Sequence, residues 1–225
     1  MKKGFAIAID GPGGVGKSTA ARLVAQELGM AYIDTGAMYR AVALYQIENG
    51  INMYNDEKLE RSLKDIALEI VNDGGVQKIL LNGRDVTDLI RTQEVSEGAS
   101  VVAANLRVRE KLVAQQKQMA AAGRVVMDGR DIGTHVLPWA QIKIYLDAPP
   151  EIRAQRRVLE LEEKGQPEDY KHIYAGIVAR DKRDRSRKHN PLIQAEDAVY
   201  LSTAQNESPK DTARDIVNIY EERGY

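Results

Sequence analysis

The sequence predicts an α/β fold: a parallel-sheet core carrying a small antiparallel β insert. Three observations predict it. Short apolar runs, several ending in aspartate, alternate with segments of helical period. A glycine-rich turn joins the first such run to the first such helix. Between residues 68 and 86 the period changes to that of short hairpins.

Taken in order, Phe5 to Ile9 is a buried strand, and Lys17 to Leu28 a helix with Ala21, Val24 and Leu28 on one face. Met30 to Ile33 reads as a second strand. Gly36 to Ile47 reads as a second helix, with Met38, Val42 and Tyr45 at helical spacing. Asn55 is a cap for a helix through Leu59, Leu63 and Ile66. In LEIVNDGGVQKILLNGRDV, Asp73-Gly74-Gly75 and Asn82-Gly83 punctuate β-branched runs, which predicts a small antiparallel sheet. Helical patterns run from Thr92 to Ala122 with a break near Asn105. Arg124 to Met127 and Ile142 to Leu146 are strands leading into Asp128 and Asp147. Residues 149 to 164 and 169 to 188 are charged helices separated by Gly165 and Pro167. Ser208-Pro209-Lys210-Asp211 has the form of a capping box and opens a last helix through Tyr220. The expected organisation is one domain over 1–225, its antiparallel patch an inserted subdomain.

With 43% hydrophobic and 29% charged residues the 225-residue chain can bury a core, which excludes a disordered protein. The 32 Lys+Arg against 33 Asp+Glu leave a net charge of -1, so no global field draws the chain to nucleic acid or membrane. Anion binding must therefore be local. The N-terminal apolar run meets Asp10 too soon for a signal-peptide core or a spanning helix, so a cytoplasmic protein is expected. The absence of cysteine removes disulfides and thiol chemistry, and three scattered histidines offer no zinc cluster or triad.

Gly11-Pro12-Gly13-Gly14-Val15-Gly16-Lys17-Ser18, followed by Thr19, matches G-x-x-x-x-G-K-[ST] between a strand and a helix. The glycines let backbone N–H groups turn around a phosphate, and the helix N-terminus adds partial positive charge. Lys17 would bridge the β- and γ-phosphates, and Ser18 would hold Mg²⁺. The motif predicts that the chain binds a nucleoside triphosphate such as ATP. The same loop serves switches, motors and small-molecule kinases, so the reaction must be read elsewhere.

Arginines supply that reading. Arg40, Arg109, Arg130, Arg153, Arg156, Arg157, Arg180, Arg183, Arg185 and Arg187 are many guanidinium groups for a near-neutral chain. A kinase whose acceptor is itself a phosphate has this need, because two polyanions must be brought together. Such an acceptor needs no general base, since its second pKa near 6 leaves it mostly deprotonated at neutral pH. Arg180, Asp184 and Arg187 fall on one helical face, as do Arg153, Arg156 and Arg157; spacing alone fits a solvated, salt-bridged surface equally well. Met127-Asp128-Gly129-Arg130-Asp131-Ile132-Gly133 follows a strand, and strand ends are where open α/β sheets place ligands.

Together IDGPGGVGKST (9–19), DTGAMYR (34–40), IRTQEVSEGAS (90–100), VRE (108–110), MDGRDIGT (127–134) and RDKRDRSR (180–187) resemble the bacterial cytidylate kinases along essentially the whole chain. The resemblance implies a P-loop nucleoside monophosphate kinase fold with a core (about 1–50, 105–149 and 168–225), a monophosphate-binding insert (about 51–104) and a short arginine-bearing lid (about 150–167). It implies ATP and CMP or dCMP as substrates, Mg²⁺ with the ATP, no nucleic-acid or membrane partner, and a monomer. Carried over by position, the CMP site falls on Thr35, Arg40, Ser100, Arg109, Arg130, Asp131, Arg180, Asp184 and Arg187. Catalytic roles fall on Lys17, Arg130, Arg153, Arg157 and Arg187. Metal contact falls on Ser18, with Asp128 acting through water. Cytosine presents an amino donor beside two acceptors, and Asp131 with Ser100 and Arg109 makes a matching set; uracil puts a carbonyl where the carboxylate would repel it. Asp184 and Arg180 look like readers of the sugar hydroxyls, and Arg40 and Arg130 like phosphate clamps. Thr35 stands where serine is usual in some members and keeps the hydroxyl.

The rivals are a UMP/CMP, adenylate-type or shikimate-type kinase of the same core, a GTPase switch, and a nucleic-acid-binding module. The insert and the SEGAS and DGRD segments argue against the adenylate and shikimate types. The GTPase is opposed by the absence of N-K-x-D, and the nucleic-acid module by a single Phe, a single Trp and the balanced charge.

Overall fold

The computed structural model describes residues 4–73, 76–121, 123–163, 165–205 and 208–225. The start of the expected core (1–3), the turn glycines Gly74 and Gly75, and residue 164 of the expected lid lie outside the described residues.

A five-stranded parallel sheet carries the fold. Its centre is β1 (Ala6–Asp10), whose five residues are all buried, so no alternation of polar and apolar side chains appears. The other strands are β2 (Ala31–Asp34), β6 (Val125–Gly129), β7 (Ile142–Asp147) and β8 (Val199–Ser202), in the order β2-β6-β1-β7-β8. The chain leaves β1 for β2 and returns only later to fill β6 between them. The strand order therefore switches beside β1, which places a crevice at its C-terminal end. Strand β8 carries no signal in the sequence. Its four residues are half or fully exposed, and they add to the sheet only by pairing with β7.

Helix α1 (Lys17–Glu27) and helix α8 (Pro209–Glu222) cover one face of the sheet, burying Ile7, Ile9, Val24, Ile144, Ile216 and Val217 together. Ser208 and Asp211 form the expected capping box at the start of α8. The other face packs Ala6, Ala8, Ile33 and Met127 against Val113 of α5 (Leu106–Ala121). Asn105 makes the break before α5, its side-chain oxygen accepting from the backbone N–H of Arg107 (2.9 Å) and Val108 (3.2 Å).

The antiparallel insert is present as β3 (Leu68–Asp73), β4 (Val76–Leu81) and β5 (Arg84–Asp85). Asn82 and Gly83 both take positive φ (51° and 79°) in the two-residue turn between β4 and β5. The insert has no core of its own. Leu59 of α3 (Asp56–Ser62), Ile79 and Val102 of α4 (Gln93–Val102) share one cluster with Met38 and Val42 of α2 (Thr35–Glu48) and Leu112 of α5. Helices α6 (Pro150–Glu163) and α7 (Tyr170–Ser186) pack on each other through a small satellite cluster of Ala154, Leu161 and Ile173.

Candidate active site

A cleft of about 720 Å³ lies where the strand order predicts it, lined by the phosphate loop, the start of α2, α4, the segment after β6, and α7. Gly11 turns the chain out of β1 at φ 149°, and a Cβ there would stand 2.0 Å from the Leu146 carbonyl oxygen, so only glycine fits. Gly14 and Gly16 also hold positive φ. Lys17 is buried, and its ammonium group donates to the Pro12 carbonyl at 2.5 Å. Burial holds that ammonium well below the usual lysine range, and the Arg130 guanidinium adds to the effect.

At the foot of the loop, Asp128 Oδ2 accepts from the Ser18 hydroxyl and Oδ1 accepts from the Tyr32 hydroxyl, both at 2.9 Å. Burial, with Asp34 nearby, raises the Asp128 carboxyl to about 6. A hydroxyl and a carboxylate at the phosphate loop are the hard oxygen donors Mg²⁺ selects. Among the described residues no group of three or more His, Cys, Asp or Glu is arranged to hold a metal ion. Such a donor set suits an ion that brings its remaining ligands as phosphate and water.

The acceptor side begins at the N-terminus of α2. Asp34 caps the helix by accepting from Ala37 N–H at 2.9 Å and faces Arg40 (3.7 Å) and Arg91 (3.4 Å). Thr35 Oγ1 donates to the Asp128 carbonyl at 2.7 Å, and a Cβ on Gly129 would come within 2.6 Å of that hydroxyl. The close approach of α2 to β6 therefore depends on Gly129. Arg109 and Asp131 are both buried and paired side chain to side chain, and the guanidinium carbon of Arg109 lies 5.8 Å from the Tyr39 ring centroid.

Helix α7 forms the opposite wall. Asp184 accepts from Arg130 Nε at 2.9 Å. Arg180 donates to Ser96 Oγ (3.0 Å), and Arg183 to Ser100 Oγ (3.3 Å). Burial lowers Arg180 to about 10, with Arg130 beside it acting in the same direction. Burial pushes the Asp184 carboxyl up, but Arg130, Arg180 and Arg187 outweigh it and hold it below its usual value. Arg40 Nη1, Arg180 Nε and Arg187 Nη2 are buried without a hydrogen-bond partner. Buried donors of this kind are rare, and here three of the cations that line one cleft carry them.

Every acceptor-side residue named from the sequence lines this cleft, as do Arg153, Arg157, Asp128, Gly13, Gly14 and Gly16 to Thr19. Three expectations change in detail. Arg187 is not on the helical face with Arg180 and Asp184: the helix ends at Ser186, and Arg187 follows in extended backbone (φ −57°, ψ 136°), its Nε on the Asp184 carbonyl. Arg153, at the start of the expected lid, is 1% exposed and held by Asp181, Gly13 O and Ala148 O. Arg156 leaves the cleft altogether and donates to the Thr203 hydroxyl (3.1 Å) and carbonyl (2.5 Å). Asp34, Tyr39, Arg91 and Ser96 were missed. The first two lie inside DTGAMYR, and Arg91 and Ser96 lie inside IRTQEVSEGAS, so the motifs contained them without giving a reason to single them out.

A family model described as cytidylate kinase matches residues 7–222. The cytidylate kinase of Bacillus cytotoxicus (strain DSM 22905 / CIP 110041 / 391-98 / NVH 391-98) is 46% identical over 222 residues, covering 99% of this chain and 98% of that one. That of Bacillus subtilis (strain 168) is 46% identical over 203 residues, covering 90% of this chain and 91% of that one. Among solved structures, an uncharacterized protein from Eubacterium ventriosum ATCC 27560 aligns with a TM-score of 0.52 at 12% identity, over 98% of this chain and 99% of that one, a likeness of fold alone. The near-complete family match and the full-length relatives agree with the phosphate loop and the arginine-walled cleft: the chain belongs to the cytidylate kinase family.

Proposed function

We propose that the protein transfers the γ-phosphoryl group of ATP to CMP or dCMP, giving ADP and CDP or dCDP. One observation carries this reading: a phosphate loop shares one cleft with Arg40, Arg180 and Arg187, each of which keeps one buried nitrogen without a hydrogen-bond partner, and the Arg109–Asp131 pair lies in its wall.

An oxygen of the acceptor phosphate attacks Pγ, the bond from Pγ to the β,γ-bridging oxygen breaks, and ADP leaves with that electron pair. The loop N–H groups and Lys17 hold the donor phosphates; the short Lys17–Pro12 contact is one the ammonium would exchange for phosphate oxygens. Arg40, Arg130 and Arg187 clamp the acceptor phosphate and meet the charge that develops on the migrating group. Asp131, fixed by Arg109, accepts from the cytosine amino group, and Asp184 with Arg180 takes the sugar hydroxyls. Mg²⁺, held through Ser18 and, by way of water, Asp128, would neutralise charge on the β- and γ-phosphates. Arg157, which pairs with Glu160 at 2.8 Å, belongs to the part of α6 free to act as a lid.

Among the described residues no helix is long and apolar enough to cross a membrane. The reading is tested by coupled ADP release with CMP, dCMP, UMP, AMP and shikimate. CMP or dCMP should give the highest kcat/KM; a higher value with AMP or shikimate would replace the assignment by another kinase of the same core.

A further inference from the structure

We infer that Asp10 is a positioning residue that registers the base-reading segment against the phosphate loop, and thereby sets the enzyme's preference for cytosine over uracil. Asp10 is the last residue of β1, and the next residue, Gly11, opens the phosphate loop. Its side chain is 4% exposed and does not line the cleft. Oδ1 accepts from the backbone N–H of Ile132 and Oδ2 from that of Gly133, both at 2.7 Å.

Those two amides belong to the residues directly after Asp131. Ile132–Val136 forms one π-helical turn, with His135 N–H (2.9 Å) and Val136 N–H (3.1 Å) donating back to the Asp131 carbonyl. The first N–H groups of such a turn have no partner within it. Asp10 takes both. The backbone of Asp131, at φ −146° and ψ 30°, is thus held between β6 on one side and a carboxylate anchored in β1 on the other.

The chemistry asks for a carboxylate in particular. Two neighbouring N–H donors need two acceptor atoms, and an amide would turn its own NH₂ toward one of them. The segment is shaped to admit this group, since a Cβ on Gly133 would stand 3.3 Å from Asp10 Oδ2 and 3.2 Å from Lys143 Cδ. A buried carboxylate is costly, and burial raises this one to about 7 against the two N–H bonds that lower it, with Asp131 and Lys17 as the charged neighbours. An apolar side chain would avoid that cost, so the charge is retained for what it holds.

This inference rests on the reading of Asp131 as the group that meets the cytosine amine. The test measures kcat/KM for CMP and for UMP, and KM for ATP, in wild type, Asp10→Asn and Gly133→Ala, which disturb the same contact from opposite sides. In both variants the CMP-to-UMP ratio should fall about tenfold while KM for ATP changes less than about threefold. CMP and UMP falling by one common factor, or a ratio that holds at the wild-type value in a folded variant, would overturn the inference. Should Asp10→Asn fail to fold, Gly133→Ala alone decides. A wild-type enzyme indifferent between CMP and UMP fails the Asp131 reading itself, an outcome seen before any variant is made.

Discussion

Arg153 grips Asp181 with a fork: Nη1 donates to Oδ1 at 3.1 Å and Nη2 to Oδ2 at 2.5 Å, while Nη1 also reaches the Gly13 carbonyl and Nε the Ala148 carbonyl. One buried guanidinium therefore ties α6, α7, the end of β7 and the phosphate loop together. Removing one partner of such a pair leaves an uncompensated buried charge. Asp181→Ala is expected to lower the unfolding free energy by about 3 kcal/mol. The double variant with Arg153→Ala should cost less than the two single losses added. Denaturant unfolding checks this, and strict additivity would show that the pair is not coupled.

The same pinning divides the expected lid. Arg153 and Arg156 are both anchored, so the first two turns of α6 belong to the core, whereas Arg157 and the residues beyond it lean on α7 only through Val158, Leu161 and their neighbours. Hydrogen exchange should be slow at 152–156 in the free enzyme and faster at 157–163. A bisubstrate analogue joining adenosine to cytidine through phosphates should slow the second stretch alone. Protection that is uniform along α6 and unchanged by the analogue would remove the lid.

Lys17→Ala should reduce kcat by at least about a thousandfold, because the ammonium acts on charge that develops on the donor phosphates. Binding of CMP, measured by calorimetry, should change little, since the proposed acceptor clamps are Arg40, Arg130 and Arg187, which line the same cleft. Turnover near the wild-type level would remove Lys17 from the chemistry.

Asp131→Ala should lose at least about tenfold in kcat/KM for CMP and much less for UMP, since only cytosine offers the amine. The change also removes the carboxylate paired with Arg109, which is 1% exposed and keeps the Ala103 carbonyl at 3.5 Å, the Tyr39 ring and the more remote Asp184 as neighbours. A fall in Tm is therefore expected beside the kinetic loss. Equal losses for CMP and UMP would make Asp131 a support for Arg109 and nothing more.

What the sequence disclosed follows from how local each signal is. The phosphate loop, the Asn82-Gly83 turn, the Ser208 cap and the Asn105 break are written in neighbouring residues, and each is found where expected. Strand β8 was invisible because VYLS is defined only by its pairing with β7. The parting of Arg153 and Arg156 was invisible for the same reason: their partners Asp181 and Thr203 lie 28 and 47 residues away. Asp10 looked like the end of a strand, and its partners Ile132 and Gly133 are 122 and 123 residues away.

Asp10 also makes a prediction about stability that runs against its function. Its carboxyl rises from the usual 3.8 to about 7 in the fold, first because of burial, and Asp128 rises to about 6 for the same leading reason. A group whose folded pKa is raised binds protons more tightly folded than unfolded. Its stabilising share is present below the unfolded pKa and is lost as pH rises through the folded one. For Asp10 that window runs from about pH 4 to about pH 7. His135 is pushed below its usual value by burial and acts in the opposite direction, so wild-type melting alone does not isolate the effect. The difference between wild type and Asp10→Asn does isolate it, because Asp128 and His135 are common to both. Relative to wild type, Asp10→Asn should gain stability as pH rises from 4.5 to 7, by at most about 1.4 kcal/mol per pH unit. A difference in unfolding free energy that stays constant across that window would show that Asp10 does not titrate in the fold.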